Sequence, residues 1–182
     1  MERQRLADSV KLIAYGYLLL HLNFNLGTLN VLPNWLGYIQ ILRALPALGE
    51  YEPSALLLRP LGILLALWEG VLWTVDLAGS SLTGYLFTVI ATVIALYFHF
   101  QLLTNLADIA GSCSCPERKR ILTLRTVRTV LITLFALPIP WDSYKILTVG
   151  MVVVFIVVAV WLCTVLFSFR RSLAMVLPEE NQ

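Results

Sequence analysis

Apolar residues run along this chain in long stretches with few polar interruptions. Four stretches, residues 8–30, 54–78, 82–106 and 144–169, reach the roughly 20 residues that a bilayer-crossing helix needs. A fifth, 120–137, is slightly shorter and carries Arg125 and Arg128 in its opening turns, where arginine side chains can snorkel toward headgroups. A sixth, 34–48, is shorter still and contains Arg43 and Pro46. Turn formers separate the stretches at Pro33-Asn34 and at 49–53, 79–81, 111–116 and 138–140. The pattern predicts an all-α fold: a polytopic integral membrane helical bundle forming one membrane domain over 1–182, with six spans at these ranges. The alternative is five spans plus a re-entrant or interfacial helix at 34–48.

Composition points the same way. The 182 residues are 59% hydrophobic and 13% charged, with a mean hydropathy of +0.81. Soluble domains average roughly 45–50% apolar and about 25% charged residues. A water-soluble fold of this size has too little interior to hide such a chain. A soluble enzyme, a disordered tail, a fibrous protein and a nucleic-acid binder are thereby excluded.

Charge placement separates six spans from five. Of the 13 Lys and Arg residues, Arg3, Arg5 and Lys11 open the chain, five gather at Arg118, Lys119, Arg120, Arg125 and Arg128, and Arg170 and Arg171 follow the last stretch. Six spans with a cytoplasmic N-terminus put all of them but Lys145 at the inside ends, as basic flanks prefer. Five spans would carry either the N-terminus or the central cluster across. The expected location is therefore the cell membrane, multi-pass, with both termini cytoplasmic. Trp35, Trp73, Trp141, Tyr85 and Tyr144 then fall near the outer interface. The first stretch has the charged flank of a signal peptide, but Asn23 and Asn25 follow without a small-residue cleavage motif, so it reads as a retained helix. Leu32-Pro33 with Trp35 and Tyr38 is echoed by Leu137-Pro138 with Trp141 and Tyr144, a pattern that interfacial hairpins commonly use.

Polar residues recur at helical spacing in three stretches. One stripe holds Ala14, Leu18, His21, Asn25 and Thr28; a second holds Gly62, Ala66, Glu69, Trp73, Asp76 and Ser80; a third holds Gly84, Thr88, Thr92, Ala95 and His99. The stretch 152–160 has no such stripe and is expected to face lipid. The candidate intramembrane polar site is His21, Asn25, Glu69, Asp76 and His99. At about 1.5 Å per residue, His21 and Glu69 sit roughly 18 and 22 Å from the inner ends of their spans, so they could meet if spans one and three are neighbours. Asp76 can simply face water, and His99 with Gln101 reads as a capped, water-facing helix end. Two roles for Glu69 stand side by side: a proton- or cation-binding group with His21 and Asn25 as partners, or a hydrogen-bonded link between helices.

Known chemical motifs are missing. Cys113-Ser114-Cys115 offers two thiols where a closed zinc site needs four ligands, so free thiols or a lipidation target are expected there. Cys163 reads as a small apolar residue. No His-Glu-x-x-His pair, phosphate-cradling glycine loop or Gly-x-Ser-x-Gly elbow occurs. Neither an enzyme, a metal nor a cofactor is expected. The segment Asn23-Phe24-Asn25-Leu26-Gly27-Thr28 through Leu32-Pro33-Asn34-Trp35-Leu36-Gly37-Tyr38 resembles small bacterial multi-pass membrane proteins with no assigned activity. That resemblance implies a bacterial membrane setting and brings no ligand or catalytic residue. The expected function is a non-enzymatic membrane component or partner subunit with polar helix–helix contacts. The alternative is a small oligomeric transporter or channel with Glu69 and His21 in a proton or cation path. The expected partners are the lipid bilayer and a second copy or membrane partner subunit, and no nucleic acid.

Overall fold

A computed structural model describes residues 2–21, 25–26, 29–30, 33–80, 84–137 and 145–175. They form six helices: α1 (Glu2–His21), α2 (Asn34–Gly49), α3 (Arg59–Leu77), α4 (Tyr85–Ser112), α5 (Glu117–Ala136) and α6 (Lys145–Met175). A short antiparallel ladder pairs β1 (Asn25–Leu26) with β2 (Leu29–Asn30). Three helical segments, Pro53–Leu77, Leu86–Ser112 and Lys145–Met175, are long and apolar enough to cross a membrane.

Each helix packs on the next in sequence, and α6 returns to pack on α1, so the six close into a ring. The inward faces follow helical spacing. On α2 the buried residues are Gly37, Tyr38, Ile41, Ala44, Leu45 and Leu48, so the shortest predicted stretch packs as a full member between α1 and α3. On α5 they are Glu117, Ile121, Leu124, Arg128 and Leu131.

The core is lopsided. An ion pair between Arg5 and Glu50 at 3.4 Å, and hydrogen bonds from Ser168 and Ser172 to Glu117, bring the starts of α1 and α5 to the same end as the finishes of α2 and α6. The buried residues gather toward that end. No residue of α3 after Leu65, of α4 before Phe98 or of α6 before Val158 is fully buried among those described. Twelve of the 13 basic residues lie at that end or toward the middle, and Lys145 stands at the other. Trp35 and Trp73 meet edge-on at 6.3 Å where α2 begins and α3 finishes.

Several boundaries differ from the sequence expectation. The first helix begins at Glu2 and stops at His21 instead of covering 8–30, because Asn23, Asn25 and Gly27 follow in close succession and all are poor helix formers. The α4 and α6 helices run past the expected 106 and 169, since Ala107, Ile109, Ala110 and Leu173 continue the apolar inward face. Pro60 cannot donate to the carbonyl one turn back, and the residues before it, Pro53–Leu58, wind as a 3-10 turn. Residues 138–144, with the expected turn prolines, Trp141 and Tyr144, lie outside the described residues.

Two helices end in the same device. Gly79 takes φ +68°, with Gly79 N–H donating to Asp76 O and Ser80 N–H to Val75 O. Ser114 takes φ +54°, with Ser114 N–H donating to Gly111 O and Cys115 N–H to Ala110 O. These are Schellman caps, with serine doing at Ser114 what glycine usually does. The Cys113-Ser114-Cys115 run is thus the C-terminal cap of α4.

The closest backbone approach joins α1 to α2. A Cβ on Gly16 would fall 2.8 Å from Gly37 O, and one on Gly37 would fall 2.7 Å from Gly16 O. Backbone atoms cannot swing away as side chains do, so alanine at either site must push the helices apart. Gly70 on α3 has nothing within 4 Å of its would-be Cβ. Gly16→Ala or Gly37→Ala should cost about 1–3 kcal/mol by overpacking. Gly70→Ala should be neutral or gain up to about 1 kcal/mol from helix propensity. Thermal unfolding in detergent checks both, and equal effects at all three sites would refute the close contact.

Candidate functional site

The inward faces of four helices converge on a cluster of rings and one cation. On α1 the residues Leu6, Val10, Ile13, Ala14 and Tyr17 are wholly buried. Their spacing directs the Tyr17 hydroxyl into the middle of the ring. There it lies 3.1 Å from His99 Nδ1 on α4, and His99 Nε2 lies 3.4 Å from the Tyr38 hydroxyl on α2. A neutral imidazole has one donor and one acceptor nitrogen, so one phenol donates to His99 and the other accepts from it. Arg128 on α5 places its guanidinium 5.5 Å from the centre of the Tyr17 ring. His99 is 3% exposed and Arg128 8%.

His99 therefore does not cap a water-facing helix end. It sits at the centre of the bundle because α4 continues beyond it to Ser112, burying Leu102, Leu103 and Leu106 below. Gln101 joins Asn105 instead. The Asn105 amide meets Gln101 at 2.8 Å and the Ser54 hydroxyl at 3.0 Å, and oriented to satisfy both its ends it also accepts the Ala55 N–H at 3.2 Å.

His21 lies on the other side of Tyr17. Its Nδ1–H donates to the Tyr17 carbonyl at 2.6 Å, which leaves Nε2 as the acceptor nitrogen. The ring stacks on Tyr17 at 6.1 Å and leans on Phe155 of α6 at 5.6 Å. It lines a pocket of about 100 Å³ between α1 and α6, with Leu18, Phe155, Ala159 and Cys163 among the walls.

Glu69 does not meet His21. The α2 helix stands between α1 and α3, and Glu69 Oε2 accepts a hydrogen bond from Asn34 Nδ2 of α2 at 3.1 Å. Asp76 is exposed at the end of α3. The Asn25 backbone pairs with Asn30 in the short ladder, and its side chain lies outside the described residues. The described candidates thus do not gather in one site: His21 and His99 share Tyr17 as a neighbour, and Glu69 approaches His99 only through Tyr38.

The residues that the pattern did not single out carry more of the interior. Glu117 is 3% exposed, and its Oε1 accepts from both Ser168 and Ser172 at 2.8 Å. These serines stand one turn apart on α6. Arg125, which follows the same helix, reaches Thr104 at 3.0 Å and lies 4.4 Å from the Phe100 ring centre. A readable signal for Glu117 and Arg128 existed: both fall in register with Ile121, Leu124 and Leu131, whose apolar stripe must face inward.

Cys115 is buried and its thiol leans on the Cys113 carbonyl at 3.7 Å. Burial pushes its pKa up, Cys113 and Glu117 add to that, and Arg3 opposes it. Among the described residues no three His, Cys, Asp or Glu side chains gather as a metal site. No protein-family model, curated protein or solved structure matches the chain.

The two phenol contacts of His99 differ in length, and that sets an order. Tyr17→Phe should destabilise by about 1–2 kcal/mol, the upper range for polar links between membrane helices, and Tyr38→Phe by about 0.5. Thermal unfolding of the purified variants reads the order, and a larger loss for Tyr38→Phe would contradict the geometry.

Proposed function

We propose that the chain is a non-enzymatic multi-pass membrane component whose interior polar groups tie its helices into one rigid unit. The observation that carries this reading is that five of the six seams in the ring bear a polar side-chain link. At the exposed rim Arg5–Glu50 pairs α1 with the end of α2, and further in Asn34–Glu69 ties α2 to α3 and Ser54–Asn105 ties the entry to α3 to α4. Arg125–Thr104 ties α4 to α5, and Glu117 with Ser168 and Ser172 ties α5 to α6. Tyr17–His99–Tyr38 crosses the middle. Groups aligned for conduction would instead share one lumen, whereas here Glu69 and His21 serve different seams. Such a unit suits a partner subunit or scaffold in the membrane.

We read all six helices as crossing. Helices α3, α4 and α6 have the length and apolarity to do so alone, and α1, α2 and α5 are packed between them in the ring. The basic end is taken as cytoplasmic by the positive-inside preference, and the broad apolar surface of α3, α4 and α6 faces lipid. On this reading both termini and the Cys113-Ser114-Cys115 cap lie inside the cell.

A membrane-impermeant maleimide should therefore miss Cys113 in intact cells and label it after permeabilisation. Cys115 should lag behind Cys113, since its thiol is buried and its pKa raised, which leaves less thiolate. Labelling from outside would reverse the orientation.

Glu69 separates the linking role from a conducting one. Glu69→Gln keeps a hydrogen-bonding side chain for Asn34 and should fold as the parent does, whereas Glu69→Leu should lose about 1–2 kcal/mol. Proton flux into liposomes holding either parent or Gln variant should match protein-free liposomes. A parent flux that the well-folded Gln variant abolishes would replace the scaffold reading with a transporter.

A further inference from the structure

Arg128 is a cation in a core position. Its stripe-mates Ile121, Leu124 and Leu131 are apolar, it is 8% exposed, and its Nε has no hydrogen-bond acceptor among the described residues. No carboxylate of the described residues forms an ion pair with it. Among the described acids, Glu117 lies three turns away on α5 and is held by two serines, and Glu69 is held by Asn34. The face of the Tyr17 ring attracts the charge without neutralising it, and Tyr38, His21 and His99 also lie within range of it.

An arginine stays protonated, and an uncompensated guanidinium away from water is costly. The groups within range of its charge are the phenols of Tyr17 and Tyr38 and the imidazoles of His21 and His99, and the phenols can supply donors to an acceptor-rich ligand. Tyr17 and Tyr38 share a single neutral imidazole, so at least one of them is the acceptor in its bond to His99 and keeps its own proton free to donate.

We propose that Arg128, with the Tyr17–His99–Tyr38 chain beside it, holds one oxyanion, a carboxylate or phosphate, inside the bundle. A planar guanidinium pairs such groups through two parallel hydrogen bonds, which lysine cannot do. The ion comes from free solute or from a phospholipid headgroup. The assignment does not depend on whether the bundle is a scaffold or a transporter.

The test uses the full chain in uncharged detergent, extensively delipidated. Its thermal unfolding is followed in sodium phosphate and in sodium chloride at equal ionic strength. Native mass spectrometry runs in parallel on protein taken from vesicles of phosphatidylcholine with and without phosphatidylglycerol. A phosphate-specific rise of roughly 3–6 °C at tenfold excess over Kd supports a free-ion site. One phosphatidylglycerol retained per chain supports a headgroup site. Arg128→Met should abolish either signal and Arg128→Lys should weaken it, while the unliganded Met variant melts at or above the unliganded parent. If the parent shows neither a phosphate-specific shift nor a retained lipid, the site does not exist. The same signal in the Met variant would also overturn it.

Discussion

A polar side chain held among apolar helices has to find its partner there, because no water competes for it and an unpaired group is costly. The interior of this chain follows from that constraint. His99, Asn105, Glu117 and Arg128 are all buried, and three of them make hydrogen bonds to a helix or turn other than their own. Such bonds have fixed length and direction, so they set rotation and register where apolar contact alone would let helices slide. His99 fixes three helices at once, since its two nitrogens reach α1 and α2 from α4.

Close packing supplies the rest. On the membrane reading proposed above, the hydrophobic effect gives helices no reason to associate, and small residues let backbones approach for van der Waals contact. Gly16 and Gly37 do this for α1 and α2, and Gly62 does it where α3 meets Leu42 and Phe98. All three glycines lie between Ser114-side cap and mid-bundle or just beyond it, where the core is dense. Toward the far end the helices carry exposed leucines, valines and aromatic rings, and there the bundle relies on its surroundings to cover them.

The helix count and the turns among the described residues were legible because apolar length and Gly/Pro punctuation are local properties of the chain. The basic partition was legible for the same reason. The candidate site was only partly so. Helical stripes placed Glu69 and His21 at similar depth, but depth says nothing about which helices are neighbours, and α2 came between them. His99 was misjudged, together with Gln101, as a capped and water-facing helix end. In fact Gln101 and Asn105 satisfy each other while Leu102, Leu103 and Leu106 pack inward. Arg128 was read as a snorkelling residue, a reading that charge and position in the span suggest. Its register with Ile121, Leu124 and Leu131 was the stronger signal.

The ring has one seam of a different kind. Between α1 and α6 the described contacts are between rings: Tyr15 meets Phe167 edge-on at 5.5 Å, and His21 leans on Phe155 at 5.6 Å. No polar side-chain link joins these two helices among the described residues, and the pocket beside His21 opens in the same place. Aromatic contact of this sort tolerates small changes of angle that a hydrogen bond does not. The seam that closes the ring joins the first helix to the last, so it alone has no short connecting loop to restrain it. Close packing holds it instead: α1 and α6 pack on each other more extensively than α3 does on α4 or α5 on α6, and the His21 pocket lies within that contact beside Tyr17.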